Sequence, residues 1–211
     1  MTLVHRILAL ASATLLATAC GSLDSVGEVE LVALGSAPLR FETAFREGVY
    51  AVRDAEDSFW FSTVPLDALY AHENGTPLDE AVFLHAQLLW TPEAGKTPVS
   101  ESATNLVTRV VVVSRGKVGV YGGAAFARLE GELGEGAVEL DIRGGTLSLL
   151  EHGEGFHDLL SPAGLTAVVR ATPSATDANR WRRAVSQFVT NAIGRSTWVD
   201  ARARGDAIAS R

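Results

Sequence analysis

The sequence predicts a mainly β domain, an antiparallel β-sandwich or partly closed barrel, with a short helix near 65–70 and a C-terminal amphipathic helix near 175–193. Three observations predict it. The run 105–152 is a series of strand-like segments punctuated by glycine. Within it, Val138, Leu140 and Ile142 alternate with Glu139, Asp141 and Arg143, the period of a half-buried strand. Apolar residues recur clearly at helical spacing in one later segment, through Trp181, Ala184, Val185, Phe188, Val189, Ala192 and Ile193.

Val107, Val110, Val111, Val112 and Val113 place β-branched side chains on both faces of 105–114, which suits a strand covered on both sides. A two-residue turn at Arg115-Gly116 then sets Val113 opposite Val118, Val111 opposite Val120 and Val110 opposite Tyr121. Gly122-Gly123 interrupt the next strand and mark a bulge or corner before the run ends near Glu130. A second tight turn is expected at Gly144-Gly145, with Ile142 opposite Leu147 and Leu140 opposite Leu149. Its register is firm, because a slip of one residue would bury Glu139 and Asp141.

In the first half, Val29, Leu31 and Ala33 alternate with Glu28 and Glu30 as an opening strand. A hairpin about Glu47-Gly48 is expected to join 39–46 to 49–53, with Phe45 beside Tyr50 and Glu42 opposite Arg53. An acidic turn at 54–57 leads into an aromatic strand, 58–63. Its Phe59, Trp60 and Phe61 cover both faces and so belong inside the fold or beneath another element; an exposed platform for a sugar or peptide is the functional alternative. Pro65 opens the short helix. A strand at 81–90 holds His85 as a hydrogen-bonded histidine of a partly buried sheet. The long loop 91–104 contains Gly95-Lys96-Thr97, but it lacks the upstream glycine of a phosphate-binding loop and runs into Pro98, which excludes nucleotide binding. A last strand covers 165–171, and Ser174 with Asp177 caps the long helix that Gly194 ends.

The N-terminus has the form of an export signal. His5 and Arg6 precede the apolar run 7–19, which is short for a membrane span. The run closes on Ala17-Thr18-Ala19-Cys20-Gly21, and residues 1–21 resemble the signal of bacterial lipoproteins. The resemblance implies cleavage before Cys20 by signal peptidase II, diacylation of that cysteine and attachment to a membrane through its acyl chains. Each buried methylene contributes about 0.8 kcal/mol, so such an anchor holds firmly. Gly21 in place of aspartate implies, by analogy with the enterobacterial sorting rule, the outer membrane. The expected organisation is a signal peptide at 1–19, a tether at 20–27, one β-rich domain at 28–200 and a flexible tail at 201–211. In outline, many strands and one terminal helix resemble lipocalins, although Tyr50 stands where the tryptophan of their Gly-x-Trp motif would be.

Cys20 is the only cysteine, so neither an intramolecular disulfide nor a cysteine zinc site is available. Residues 20–164 carry 9 basic and 22 acidic side chains, whereas 165–211 carry 8 and 3. An acidic, exported chain argues against nucleic-acid binding. Arg180, Arg182 and Arg183, near the start of the long helix, are expected to answer the acidic part of the same domain. The densest set of metal-ligand types is 151–158, where His152, His157 and Asp158 form a candidate site. The leading functional expectation is a non-catalytic, lipid-anchored envelope protein that binds an envelope partner or acts as a scaffold, without a cofactor. The alternatives are a carrier for a small apolar ligand and a metal-assisted hydrolase built on the 151–158 loop.

Overall fold

The computed structural model describes residues 25–35, 38–52, 57–92 and 103–196. The predicted signal, Cys20, Arg53 with most of the acidic turn, the greater part of the 91–104 loop and everything from 197 onward lie outside the described residues. Those residues form β1 (Gly27–Ala33), β2 (Arg40–Phe45), β3 (Glu47–Ala51), β4 (Asp57–Ser62), α1 (Leu66–Glu73), β5 (Glu80–Leu88), β6 (Leu106–Ser114), β7 (Lys117–Glu130), β8 (Val138–His152), β9 (Ala163–Pro173) and α2 (Ala175–Ile193).

The strands make one antiparallel sheet that curls round on itself. From β3 to β9 each strand pairs with the next, and β9 then pairs along its other edge with β1, which in turn pairs with β2. A short parallel contact, Val49 with Thr172 and Tyr50 with Pro173, joins β3 to the end of β9 and completes the ring. The expected β-rich architecture is therefore present, as a barrel closed over part of its height.

Closure explains the apolar pattern. One face of each strand points inward, where Leu31, Phe45, Tyr50, Phe59, Phe61, Leu84, Leu106, Leu140, Ile142 and Leu147 are buried in one cluster. Burying side chains of this size contributes roughly 1.5–3 kcal/mol each. The other face of β4 to β7 supplies Trp60, Phe83, Val111, Val113, Val118 and Val120 to a second cluster beneath α1 and α2. Val110 and Val112 of β6 thus meet the barrel interior and Val111 and Val113 the helices, while Val107 is exposed. Its register with β7 is the expected one, Val110 with Tyr121, Val111 with Val120 and Val113 with Val118. Arg115 and Gly116 form the turn with φ of 51° and 69°, as a tight hairpin of this type requires.

Two expected hairpins are absent. At Gly144-Gly145 the chain does not turn back: β8 runs on to His152, and the register with both neighbours shifts there. A bulge serves the pattern as well as a turn would, because one extra residue moves the inward positions from Ile142 to Gly145 and Leu147. A Cβ on Gly145 would lie 2.8 Å from Leu165 Cβ, so the glycine permits a close approach of strands. At Glu47-Gly48 the chain also continues, from β2 into β3, and β3 pairs with β4 instead. A Cβ on Gly48 would come within 2.3 Å of the Arg170 carbonyl oxygen. Gly122-Gly123 lie between two irregularities of β7, register shifts at Val120/Tyr121 and Ala124/Phe126.

The helices follow their local signals. The Ser174 hydroxyl accepts from the Asp177 amide at 3.2 Å and donates to the Asp177 carboxylate at 2.8 Å, and Gly194 ends α2 with φ of 79°. α2 runs from the end of β9 to Ile193, and the carbonyl of Ala192 in its last turn sits against Gly153. α1 is longer than expected, and Pro65 caps it from outside rather than opening it from within. No helix among the described residues is long and apolar enough to cross a membrane.

Candidate functional site at the barrel mouth

The two ends of the barrel differ. At the end where β1 begins and β9 finishes, the turn between β7 and β8 folds across the opening. The Tyr50 hydroxyl pins it there, donating to the Gly136 carbonyl at 2.7 Å and accepting from the Gly134 amide at 2.9 Å. Asn105, fully buried nearby, donates to the carbonyls of Trp90 and Ala127 and accepts from the Ala127 amide at 2.7 Å. These groups close that end.

At the other end the wall is incomplete. β4 stops at Ser62 because the Ser62 hydroxyl bends the chain, donating to the Val64 carbonyl at 2.6 Å and accepting from its amide, and Pro65 then starts the cap of α1. Above that point nothing in the described chain pairs with the outer edge of β2. Between β2 and the start of β5 lies a cleft of about 600 Å³. Phe41, Thr43, Val82, Val112, Tyr121, Phe156 and Leu160 line it, with Glu42, Arg46, Glu80 and His157 around them.

The 153–162 loop forms one wall. Phe156 packs into the space left by Gly119, where a Cβ would come within 2.3 Å of its ring, and stands edge-on to Tyr121 with ring centroids 6.3 Å apart. Asp158 fastens the loop: its Oδ1 accepts from the Tyr121 hydroxyl at 2.9 Å and from the amides of Leu160 and Ser161 at 3.0 Å each. Burial alone would raise the Asp158 carboxyl. The Ser161 and Leu160 amides, the Tyr121 hydroxyl and the charge of His152 together outweigh it and hold the carboxyl below its ordinary range. Burial, with the hydrogen bond to Asp158, pushes the Tyr121 hydroxyl well above the usual tyrosine value.

The predicted metal ligands do not assemble. Asp158 is turned to Tyr121 and the loop amides, His152 Nδ1 lies 3.0 Å from the Gly153 carbonyl oxygen, and His157 stands on the cleft lining. Among the described residues no group of three or more histidine, cysteine, aspartate or glutamate side chains is placed to hold a metal ion. The glycines that would have let His152, His157 and Asp158 converge instead bring Phe156 inward.

His85 is 9 % exposed on the outer wall. Its Nε2 lies 3.0 Å from Ser58 Oγ, and the Trp60 ring stacks on it at 4.2 Å while donating its N–H to the same hydroxyl. Phe59 and Phe61 are interior and Trp60 lies under the helices, so the aromatic strand is core and not an exposed platform. Arg180 pairs at 3.2 Å with Asp177 of its own helix rather than with the acidic part of the domain, and the basic C-terminal segment meets that part through Arg195, which pairs with Glu151 on β8. The cleft itself was missed from sequence; the one local sign of it is Ser62 followed closely by Pro65, which stops a strand early.

No protein-family model, curated protein or solved structure matches this chain.

Proposed function

We propose that this is a non-catalytic envelope protein, anchored through acyl chains on Cys20, that binds a partner protein at the barrel mouth. The observation that carries the reading is the cleft between β2 and β5, open at the end of the barrel away from the start of β1. Ser25 lies five positions after Cys20, a reach of at most about 18 Å, so an anchor there keeps the closed end nearer the bilayer and turns the mouth outward. Two polar groups on the lining already serve the fold, since Thr63 Oγ1 accepts from the Val82 amide and Tyr121 donates to Asp158. That favours recognition over catalysis. The packed interior below the mouth favours a protein partner over a small ligand carried inside.

A photo-cross-linking residue at Thr43, in the full chain in its native cell, is expected to capture a discrete protein. The same residue at Gln187, on the exposed face of α2, is expected to capture none. Equal labelling at both positions, or none at Thr43, would overturn the reading. Mass spectrometry of the mature N-terminus tests the anchor separately, and an unmodified Cys20 would refute it.

A further inference from the structure

The mouth has a feature that a plain apolar cleft lacks, a row of main-chain groups aimed into it. The carbonyls of Leu39, just before β2, and of Phe45, at its end, accept from Ala33 and Val26 and so face β1, while the amide of Arg46, just after it, faces the other way, donating to the Ser62 carbonyl at 2.8 Å. Backbone groups alternate sides along a strand. The N–H and C=O of Arg40, Glu42 and Ala44 therefore point across the gap, at the height where β4 has already left the wall. On the far side, the Val82 carbonyl accepts from Thr63 at 3.1 Å, which directs the backbone of Glu80, two residues earlier, toward the same gap.

We propose that the gap receives an extended peptide of a partner protein, added to β2 as a strand along the course β4 would take beyond Ser62. This rests on the reading of the mouth as a recognition site and names its chemistry. The inward side chains of such a strand would meet Phe41, Val82, Val112, Phe156 and Leu160, with Glu80 at the rim of that same face, and its outward ones would pass Glu42. Arg40, the cation at the start of this edge, is already bound to Glu30 at 2.9 Å and Glu42 at 2.6 Å. The matching peptide alternates apolar with basic residues. A second folded copy could pair its own β2 with this edge but would leave the cleft unfilled, which favours a peptide over a dimer.

The test uses an array of synthetic ten-residue peptides in which valine, leucine or phenylalanine alternates with lysine or arginine, each beside a scrambled version of identical composition. The full chain carrying Cys20→Ser is the receptor. Alternating peptides are expected to bind at least tenfold more tightly than their scrambles. Methylating alternate backbone nitrogens of the best binder on one edge is expected to cost a further tenfold, whereas methylating the other edge should matter less. Ala44→Pro removes one amide that faces the gap, and it is expected to abolish peptide binding while leaving the circular dichroism spectrum unchanged. If that variant does not fold, the methylated peptides decide.

Equal binding of alternating and scrambled peptides, no binding of either, or indifference to methylation would overturn strand addition, as would a concentration-dependent dimer that excludes peptide. Capture of a partner from Thr43 that survives Ala44→Pro would leave the functional reading standing and sink only this mode of binding.

Discussion

The Tyr121 hydroxyl donates to the Asp158 carboxylate at 2.9 Å, joining the inner wall of β7 to the loop that frames the mouth. Both groups gain from one charge state, aspartate ionised and tyrosine neutral. The folded Asp158 carboxyl lies below its unfolded value, so its contribution is present above the ordinary carboxylate range and is lost as pH falls through the folded value. The Tyr121 hydroxyl is raised, so its contribution holds below the ordinary tyrosine value and is lost on strong alkalinisation. In thermal melts, Asp158→Asn is expected to be less stable than the wild type at pH 7, with the gap closing on acidification. A gap independent of pH would refute this.

Tyr121→Phe keeps the ring against Phe156 and removes one of three donors to Asp158. It is expected to lower stability by about 1 kcal/mol, because the exposed carboxylate recovers part of the loss from water. Fluorescence-monitored urea unfolding measures it, and a loss of several kcal/mol would mean the loop carries more of the fold than its contacts show.

Thr108 is fully buried on the inward face of β6, and its hydroxyl has no hydrogen-bond partner. Valine has the same shape without the polar group. Thr108→Val is therefore expected to stabilise the protein by about 1 kcal/mol, seen as a higher denaturation midpoint at unchanged slope.

Asn105→Ala acts in the opposite sense. Its side chain stands in for a missing strand neighbour, so the change strips partners from the Ala127 amide and carbonyl at once. A loss of about 3 kcal/mol is expected in the same urea experiment. A neutral result would show that water reaches that end of the barrel.

Local patterns carried much of the fold. The β6–β7 register was legible because valines on both faces and a two-residue turn allow one pairing, and α2 was legible from Ser174, its apolar stripe and Gly194. Gly48 and Gly145 were not, because a glycine that permits a turn and one that permits a close approach of strands look alike in sequence. What separates them is the Arg170 carbonyl in one case and Leu165 in the other, both contributed by β9 from more than fifteen residues away. The cleft was hidden for a related reason. It exists because β2 pairs with the strand before it, β1, while β3 pairs with the strand after it, β4, so that one run of chain is divided between two partners at a point its own residues do not mark. His152, His157 and Asp158 were visible as a dense polar loop, but the direction of each side chain depends on Tyr121 and Gly119.

The central claim is that one edge of β2 stands open at the mouth, and residue-resolved amide hydrogen exchange tests it most directly. With peptide absent, the amides of Phe41, Thr43 and Phe45, which face β1, are expected to be protected, while those of Glu42 and Ala44 exchange at least about a hundredfold faster. Uniform protection from Arg40 to Phe45 would contradict the account, because it would mean that this edge already has a partner.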